Sequence, residues 1–169
     1  GCVMSISYDI RRATPDDIPA LNELRAHLLD AGGAPYASRT HADTERWRRA
    51  YPLWLATCLE GSDRVLILCA EHKYTQAILG CATGIIDDRA PAPDCLNGRS
   101  GWVQSVAVAP ELRRCGIAKA LMQRLLDWFR TRQVNSVALQ TTPAATSLYQ
   151  MLGFASTGEA LLVRAEGRP

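Results

Sequence analysis

The sequence predicts an α/β fold of the α+β kind, with six to seven strands in a central sheet flanked by about four helices. Three observations carry that reading. Strand-like and helix-like apolar patterns alternate along the chain, without the strict βαβ rhythm of a dinucleotide fold. Two neighbouring apolar runs, 64–70 and 77–86, read as an antiparallel pair. The stretch 101–120, GWVQSVAVAPELRRCGIAKA, passes from strand through a short turn into a helix.

Taken in order, residues 5–12 alternate with Ile6, Tyr8 and Ile10 on one face, as a half-buried strand does. Thr14, Pro15, Asp16 and Asp17 form a helix start, since a threonine cap is followed by a proline whose missing N–H is not needed there. Ile18, Leu21, Leu24 and Leu28 then repeat at helical spacing to about Leu29, and Gly32 and Gly33 stop the helix. Residues 34–41 read as a loop. A second helix opens at Asp43 or Thr44 and carries Trp47, Tyr51, Trp54, Leu55 and Cys58. After the strand pair, residues 87–100 with Pro91, Pro93, Asn97 and Gly98 form a long polar loop before the strand 101–109. Ala118, Leu121, Met122, Leu125, Trp128 and Phe129 place a broad apolar stripe on the third helix. Residues 134–140 make the next strand, and Thr142 with Pro143 opens a helix that Gly153 ends. Residues 154–164 are expected to finish the sheet with one or two strands.

The 169 residues, 47% hydrophobic and 21% charged, fit one domain over 1–169 that buries a core without metal or disulfides. A net charge of +2 gives no argument for nucleic acid. No apolar run is long enough to span a bilayer and no charged leader precedes one, so a soluble cytoplasmic protein is expected, with no membrane partner. The cysteines at 2, 58, 69, 81, 95 and 115 form no Cys-x-x-Cys pair and read as reduced thiols. His27, His41 and His72 lack ligand spacing, so no metal site is expected. Arg46, Arg48 and Arg49 read either as a solvated helix face or as part of an acceptor site.

The turn Arg113-x-x-Gly116-x-Ala118 has the chemistry of a pyrophosphate cradle. Glycine lets the backbone approach a ligand, the first N–H groups of a helix lack internal partners, and Arg113, Arg114 and Lys119 add positive charge. Cys115 either fills a tolerant position or, beside the helix N-terminus and two arginines, is favoured as a thiolate. No Gly-x-x-x-x-Gly-Lys and no Gly-x-Gly-x-x-Gly is present, which excludes the P-loop and dinucleotide alternatives.

Arg113, Gly116 and Ala118 after Val106-Ala107-Val108-Ala109-Pro110, together with Leu148-Tyr149-Gln150-Met151-Leu152-Gly153-Phe154 downstream, resemble two motifs of the GCN5-related N-acetyltransferase (GNAT) superfamily. The pair in this order is more specific than either motif alone. The resemblance implies the GNAT fold, a mixed, mostly antiparallel sheet whose two central strands splay to admit the pantetheine arm of acetyl-CoA as co-substrate. It puts the backbone of Val106, Ala107 and Val108 along that arm, with Val106 N–H facing the thioester carbonyl. It puts the amides of Arg113, Arg114, Cys115, Gly116, Ile117, Ala118 and Lys119 on the pyrophosphate. Tyr149 matches the tyrosine that protonates the departing thiolate.

Two positions depart from the family pattern. Strand 101–109 has no carboxylate or histidine to serve as base, only Gln104 and Ser105, so deprotonation through water toward Glu71, Asp87 or Asp88 is the expectation. Thr142 stands where many relatives have Asn; it can cap a helix, and a contact to the cofactor is what the resemblance would carry over. The implied acceptor is a small-molecule or peptide amine, beside the 30–46 connection, the second helix and the 87–100 loop. Trp47 and Trp54 read there as acceptor lining or as core. Many relatives are dimers, which extends to this chain as a homodimer. A non-catalytic acyl-CoA-binding module is the alternative reading.

Overall fold

The structure, a computed structural model, describes residues 5–30 and 37–166. Its sheet runs β1 (Tyr8–Arg12), β2 (Val65–His72), β3 (Ile78–Asp88), β4 (Arg99–Val108) and β5 (Ser136–Ala138), in spatial order β1-β2-β3-β4-β5. The first four strands are antiparallel neighbours and β5 lies parallel to β4. The parallel step is bridged by α3 (Ile117–Thr131), as a parallel crossover requires. α1 (Ile18–Leu29), α2 (His41–Leu59) and α4 (Thr146–Met151) complete the helices of the described residues.

The sheet separates two apolar clusters. On one face α3 lays Ile117, Leu121, Met122, Leu125 and Phe129, each nearly inaccessible, against Leu66, Leu68, Ala82 and Val103. Ile6, Tyr8 and Ile10 pack on the same cluster, as their alternation requires. On the other face Leu21 and Leu24 of α1 and Tyr51 and Leu55 of α2 cover Ile67, Cys69, Cys81 and Ala107. Gly84 and Gly101 are where α3 comes closest to the sheet: a Cβ at either would stand 2.8 Å from Leu125 or Phe129.

Several boundaries differ from the sequence reading, each for a local reason. The helix expected from Thr14 begins as a 3-10 turn, Pro15–Asp17, because Pro19 has no N–H to return to that turn. α2 starts earlier than Asp43, since Thr40 is the cap and its Oγ1 accepts from Asp43 N–H at 3.0 Å. Asp87, Asp88, Arg99 and Ser100, expected in a loop, extend the β3–β4 ladder. β5 is shorter than 134–140. Among the described residues the sheet has five strands where six to seven were expected: residues 155–166 form no strand, and Leu161, Leu162 and Val163 remain exposed. Three consecutive apolar residues satisfy the strand pattern, but pairing also needs a neighbouring edge in register. The expected stop at Gly32 and Gly33 lies outside the described residues. Among the described residues no helix is long and apolar enough to cross a membrane.

The edge strand is fastened to α1 by charge. Arg11 bonds Asp17 at 2.7 and 2.9 Å and Glu71 at 2.7 Å, and Thr14 N–H donates to Asp17 Oδ2 at 2.7 Å. The Arg11 bonds, aided by Thr14, hold the Asp17 carboxyl below its usual range against the opposing effect of burial. A depressed folded pKa means that this stabilisation is present above the unfolded carboxylate value near ~4 and is lost as pH falls through the folded one. Asp17→Asn should therefore cost about 2 kcal/mol at neutral pH, less than a fully buried pair because Arg11 is 31% exposed. Denaturant melts of both proteins should converge as the pH drops below about 4.

Candidate acetyl-CoA site

β4 and β5 pair only from Ser100↔Ser136 to Trp102↔Ala138. Beyond Trp102 the two strands part, while β4 continues to Val108 against β3. The edge of β4 that faces away from β3 is thus left without a strand over residues 103–108 among those described. Ala109 N–H reaches back to Leu79 C=O at 2.9 Å. By strand alternation, the N–H groups of Val108 and Val106 then point the other way, into the gap.

The same strand carries an irregularity. Thr83 stands opposite Gln104 and Cys81 opposite Ala107, so Ser105 and Val106 together face the single residue Ala82. Ser105 adopts φ 59°, a conformation that side-chain-bearing residues rarely take. The bulge re-phases the strand: Val103, Val106 and Val108 belong to the α3-side cluster, and Ala107 to the α1–α2 side.

At the end of β4, Ala109 leads into a 3-10 turn, Pro110–Leu112, and then into α3. Leu112, 8% exposed, anchors the turn in the core. Arg114 and Gly116 both have positive φ, 63° and 83°, which turns the chain sharply before the helix. Gly116 is the N-cap of α3 and supplies no side-chain acceptor. The first backbone bond onto it is Ala120 N–H to Gly116 C=O at 3.1 Å, so the amides of Ile117, Ala118 and Lys119 have no partner within the helix. A Cβ at Gly116 would meet nothing within 4 Å, so the glycine faces open space. Arg113, Arg114 and Lys119 are exposed, and none of them is in an ion pair among the described residues. Ile117 is 1% exposed as a whole residue, its side chain buried in the α3-side cluster. Such a corner of open amides, positive φ and unpaired cations suits a diphosphate.

A chain with this sheet, this gap and this turn can be placed. A model of the acetyltransferase (GNAT) family matches residues 22–154. The chain belongs to that family. Among curated GNAT proteins, it is similar to GCN5-related N-acetyltransferase 1, chloroplastic, of Arabidopsis thaliana, 33% identical over 54 residues, which is 32% of this chain and 27% of that protein. The match thus spans little more than a quarter of the relative's length. In fold, it is similar to a predicted acetyltransferase of Clostridium acetobutylicum solved with acetyl-CoA, at TM-score 0.74 and 23% identity, covering 94% of this chain and 96% of that one. It is similar as well to a GCN5-related N-acetyltransferase of Ralstonia eutropha JMP134, at TM-score 0.78 and 21% identity, covering 94% and 99%.

The remaining GNAT positions fall as follows. Tyr149 on α4 is 8% exposed and packs edge-on to Phe154 at 6.0 Å, in the same cluster as Leu112 and Ile117 of the turn. Val106, Val108 and Cys115 border that cluster, so the sheet edge, the turn and Tyr149 lie on the α3 side of the sheet. Thr142 precedes the turn Pro143–Ala145 in a capping conformation, but its side chain makes no capping bond; its carbonyl accepts from Ala145 N–H and Thr146 Oγ1 instead. Cys58, Cys69, Cys81 and Cys95 are free, whereas Cys115 is disulfide-bonded, which overturns the all-reduced reading at that position and removes its thiolate.

The base candidates do not converge on Val106. Glu71 lies two strands from β4 and is held by Arg11. Asp87 and Asp88 pair with Ser100 and Arg99 at the opposite end of β4, and Asp88 is bound by Arg64 at 2.5 Å. On α2, Arg46, Arg48 and Arg49 each meet a carboxylate, Asp43, Glu23 and Glu45 respectively, which fits the solvated face. Trp47 packs on the α1–α2 cluster and donates to Ser38 Oγ at 3.0 Å, while Trp54 is 37% exposed. A concavity of about 210 Å³ at the N-terminus of α2 is lined by Asp30, Ser38, Thr40, His41 and Thr44, within the 30–46 connection.

Proposed function

We propose that this chain is an acetyl-CoA-dependent N-acetyltransferase that moves an acetyl group to the primary amine of a small molecule or peptide by direct transfer in a ternary complex. The observation that carries the reading is the continuity of two sets of open backbone donors. The amides at the start of α3 sit at the end of the same strand whose Val106 and Val108 N–H groups line the β4–β5 gap. Donors so arranged match a long ligand with a diphosphate at one end and amides and a thioester along its arm.

In this reading the amides of residues 113–119 hold the pyrophosphate, with Arg113, Arg114 and Lys119 adding charge-assisted bonds. Val108 N–H bonds the pantetheine arm beside Ala107, and Val106 N–H points at the thioester oxygen, where negative charge grows as the amine attacks. A fixed donor of that kind contributes about 3 kcal/mol to lowering the barrier. Tyr149 gives its phenolic proton to the sulfur as the carbon–sulfur bond breaks, so that the thiol rather than the thiolate departs. Thr142 flanks the arm from the β5 side. The amine arrives neutral or loses its proton to solvent, since β4 offers no carboxylate.

The missing carboxylate also favours a second reading, an acyl-CoA-binding module without catalysis. One experiment separates the two. Protein, acetyl-CoA and a panel of primary amines are incubated together, and free CoA thiol is followed with a thiol reagent. Release that depends on a particular amine, with acetylated product in the mass spectrum, is the expected result. CoA binding without release for any amine would leave only the binding module.

A further inference from the structure

We propose that Arg25 is a positioning residue, which locks the Ser105 bulge of β4 and thereby aims Val106 N–H into the cofactor gap. Arg25 stands on α1, on the opposite face of the sheet from α3 and Tyr149. Its Nη1 donates to Ser105 Oγ across 80 residues of sequence. Its guanidinium lies 4.7 Å from the centre of the Tyr51 ring, and that ring is itself stacked on Trp54 and set edge-on to Trp47. The cation is thus held by an aromatic row on α2 while it holds the strand.

Ser105 needs such a fastening. It carries a Cβ at φ 59°, a conformation that glycine adopts freely and serine does not, and it is only 7% exposed. A second contact grips the same residue: the Cys81 thiol donates to Ser105 C=O at 3.4 Å. Burial pushes the Cys81 thiol up to about 12, so it remains a protonated donor. Without these bonds the register of β4 against β3 would tend to close into an ordinary ladder, and a one-residue slip turns every later N–H and side chain to the opposite side. Val106 N–H belongs to the Ser105–Val106 peptide, the same peptide whose C=O the Cys81 thiol holds, so its direction follows the backbone conformation of Ser105. Sustained strain beside a reacting group is a recurring device of enzyme sites, and here its restraint comes from the far face of the sheet.

The inference rests on Val106 N–H being the donor that faces the thioester, and its test has a readout independent of turnover. Backbone chemical shifts of Ser105 and Val106 are to be recorded in the wild type, Arg25→Met, Arg25→Lys and the double variant Arg25→Met/Ser105→Gly, alongside melting temperature, CoA affinity and kcat with the best amine. In Arg25→Met, Ser105 should leave positive φ and kcat should fall by ~10- to 100-fold, as for a reacting group misplaced by about an ångström, with CoA affinity within ~2-fold. Arg25→Lys should retain an intermediate kcat. The double variant should restore the bulge shifts and most of kcat, because glycine takes the required φ unaided. An effect through stability alone would track melting temperature and would not be rescued by glycine at 105. Unchanged Ser105 shifts in Arg25→Met, or lost kcat that the double variant does not recover, would overturn the proposal. If the wild type binds acetyl-CoA but acetylates nothing, the shifts still decide the role of Arg25 separately from the transfer reading.

Discussion

Gly116→Asp is expected to weaken CoA binding by at least ~100-fold, equivalent to about 2.7 kcal/mol, while the protein stays folded. Two effects act together. At φ 83° any β-carbon carries a backbone cost of about 1–2 kcal/mol, and Asp is among the residues that tolerate this region best. In the free protein the new side chain meets nothing, because no atom lies within 4 Å of a Cβ built there. In the complex it would occupy the opening toward which the amides of α3 point, and would put a carboxylate beside the diphosphate. Gly116→Ala isolates the steric part and should lose less. Calorimetric titration with CoA and a thermal melt measure the two sides; a melting temperature lowered by only a few degrees together with lost binding heat is the expected pattern. Tight binding by the aspartate variant would show that the ligand does not approach this corner.

Tyr149→Phe should behave in the opposite way, keeping CoA affinity and losing turnover. The ring remains, so the packing on Phe154 and the buried place in the α3-side cluster are retained. In the proposed mechanism, what is lost is the proton for the leaving sulfur. Removing a general acid typically costs 10²–10⁴-fold, and the lower end, ~10²-fold in kcat, is expected because a thiolate can depart unprotonated at some rate. A pre-steady-state measurement is to confirm that the chemical step has slowed rather than product release. Equal kcat in the two proteins would return Tyr149 to a purely structural role.

The features on which the proposed cofactor site rests were legible in the chain because each follows a local rule. Gly116 between cationic residues at a strand-to-helix junction specifies a turn with free amides, and the stripe from Leu121 to Phe129 specifies the face that α3 buries. The alternation of strands and helices along the chain followed from the apolar runs and from the family resemblance. Features that depend on distant partners were hidden. Ser105 at positive φ has no sequence signal, because serine is not a residue that marks left-handed turns. Arg25 sits among the apolar positions of α1, and its relevance appears only when α1 crosses β4. Leu161, Leu162 and Val163 satisfy a strand pattern yet stay exposed without a partner strand, since pattern specifies which face would be buried and not which edge receives it. Thr142 has the identity of a cap, but the carbonyl rather than the hydroxyl makes the bonds there.

A titration of nitrogen-15-labelled protein with CoA, read amide by amide, tests most directly whether the start of α3 and the free edge of β4 form one binding surface. The expected result is that the largest shifts fall at residues 116–119, with a second set at Val106 and Val108 that moves further when acetyl-CoA replaces CoA. Saturation with the coenzyme while residues 116–119 stay unmoved would contradict it.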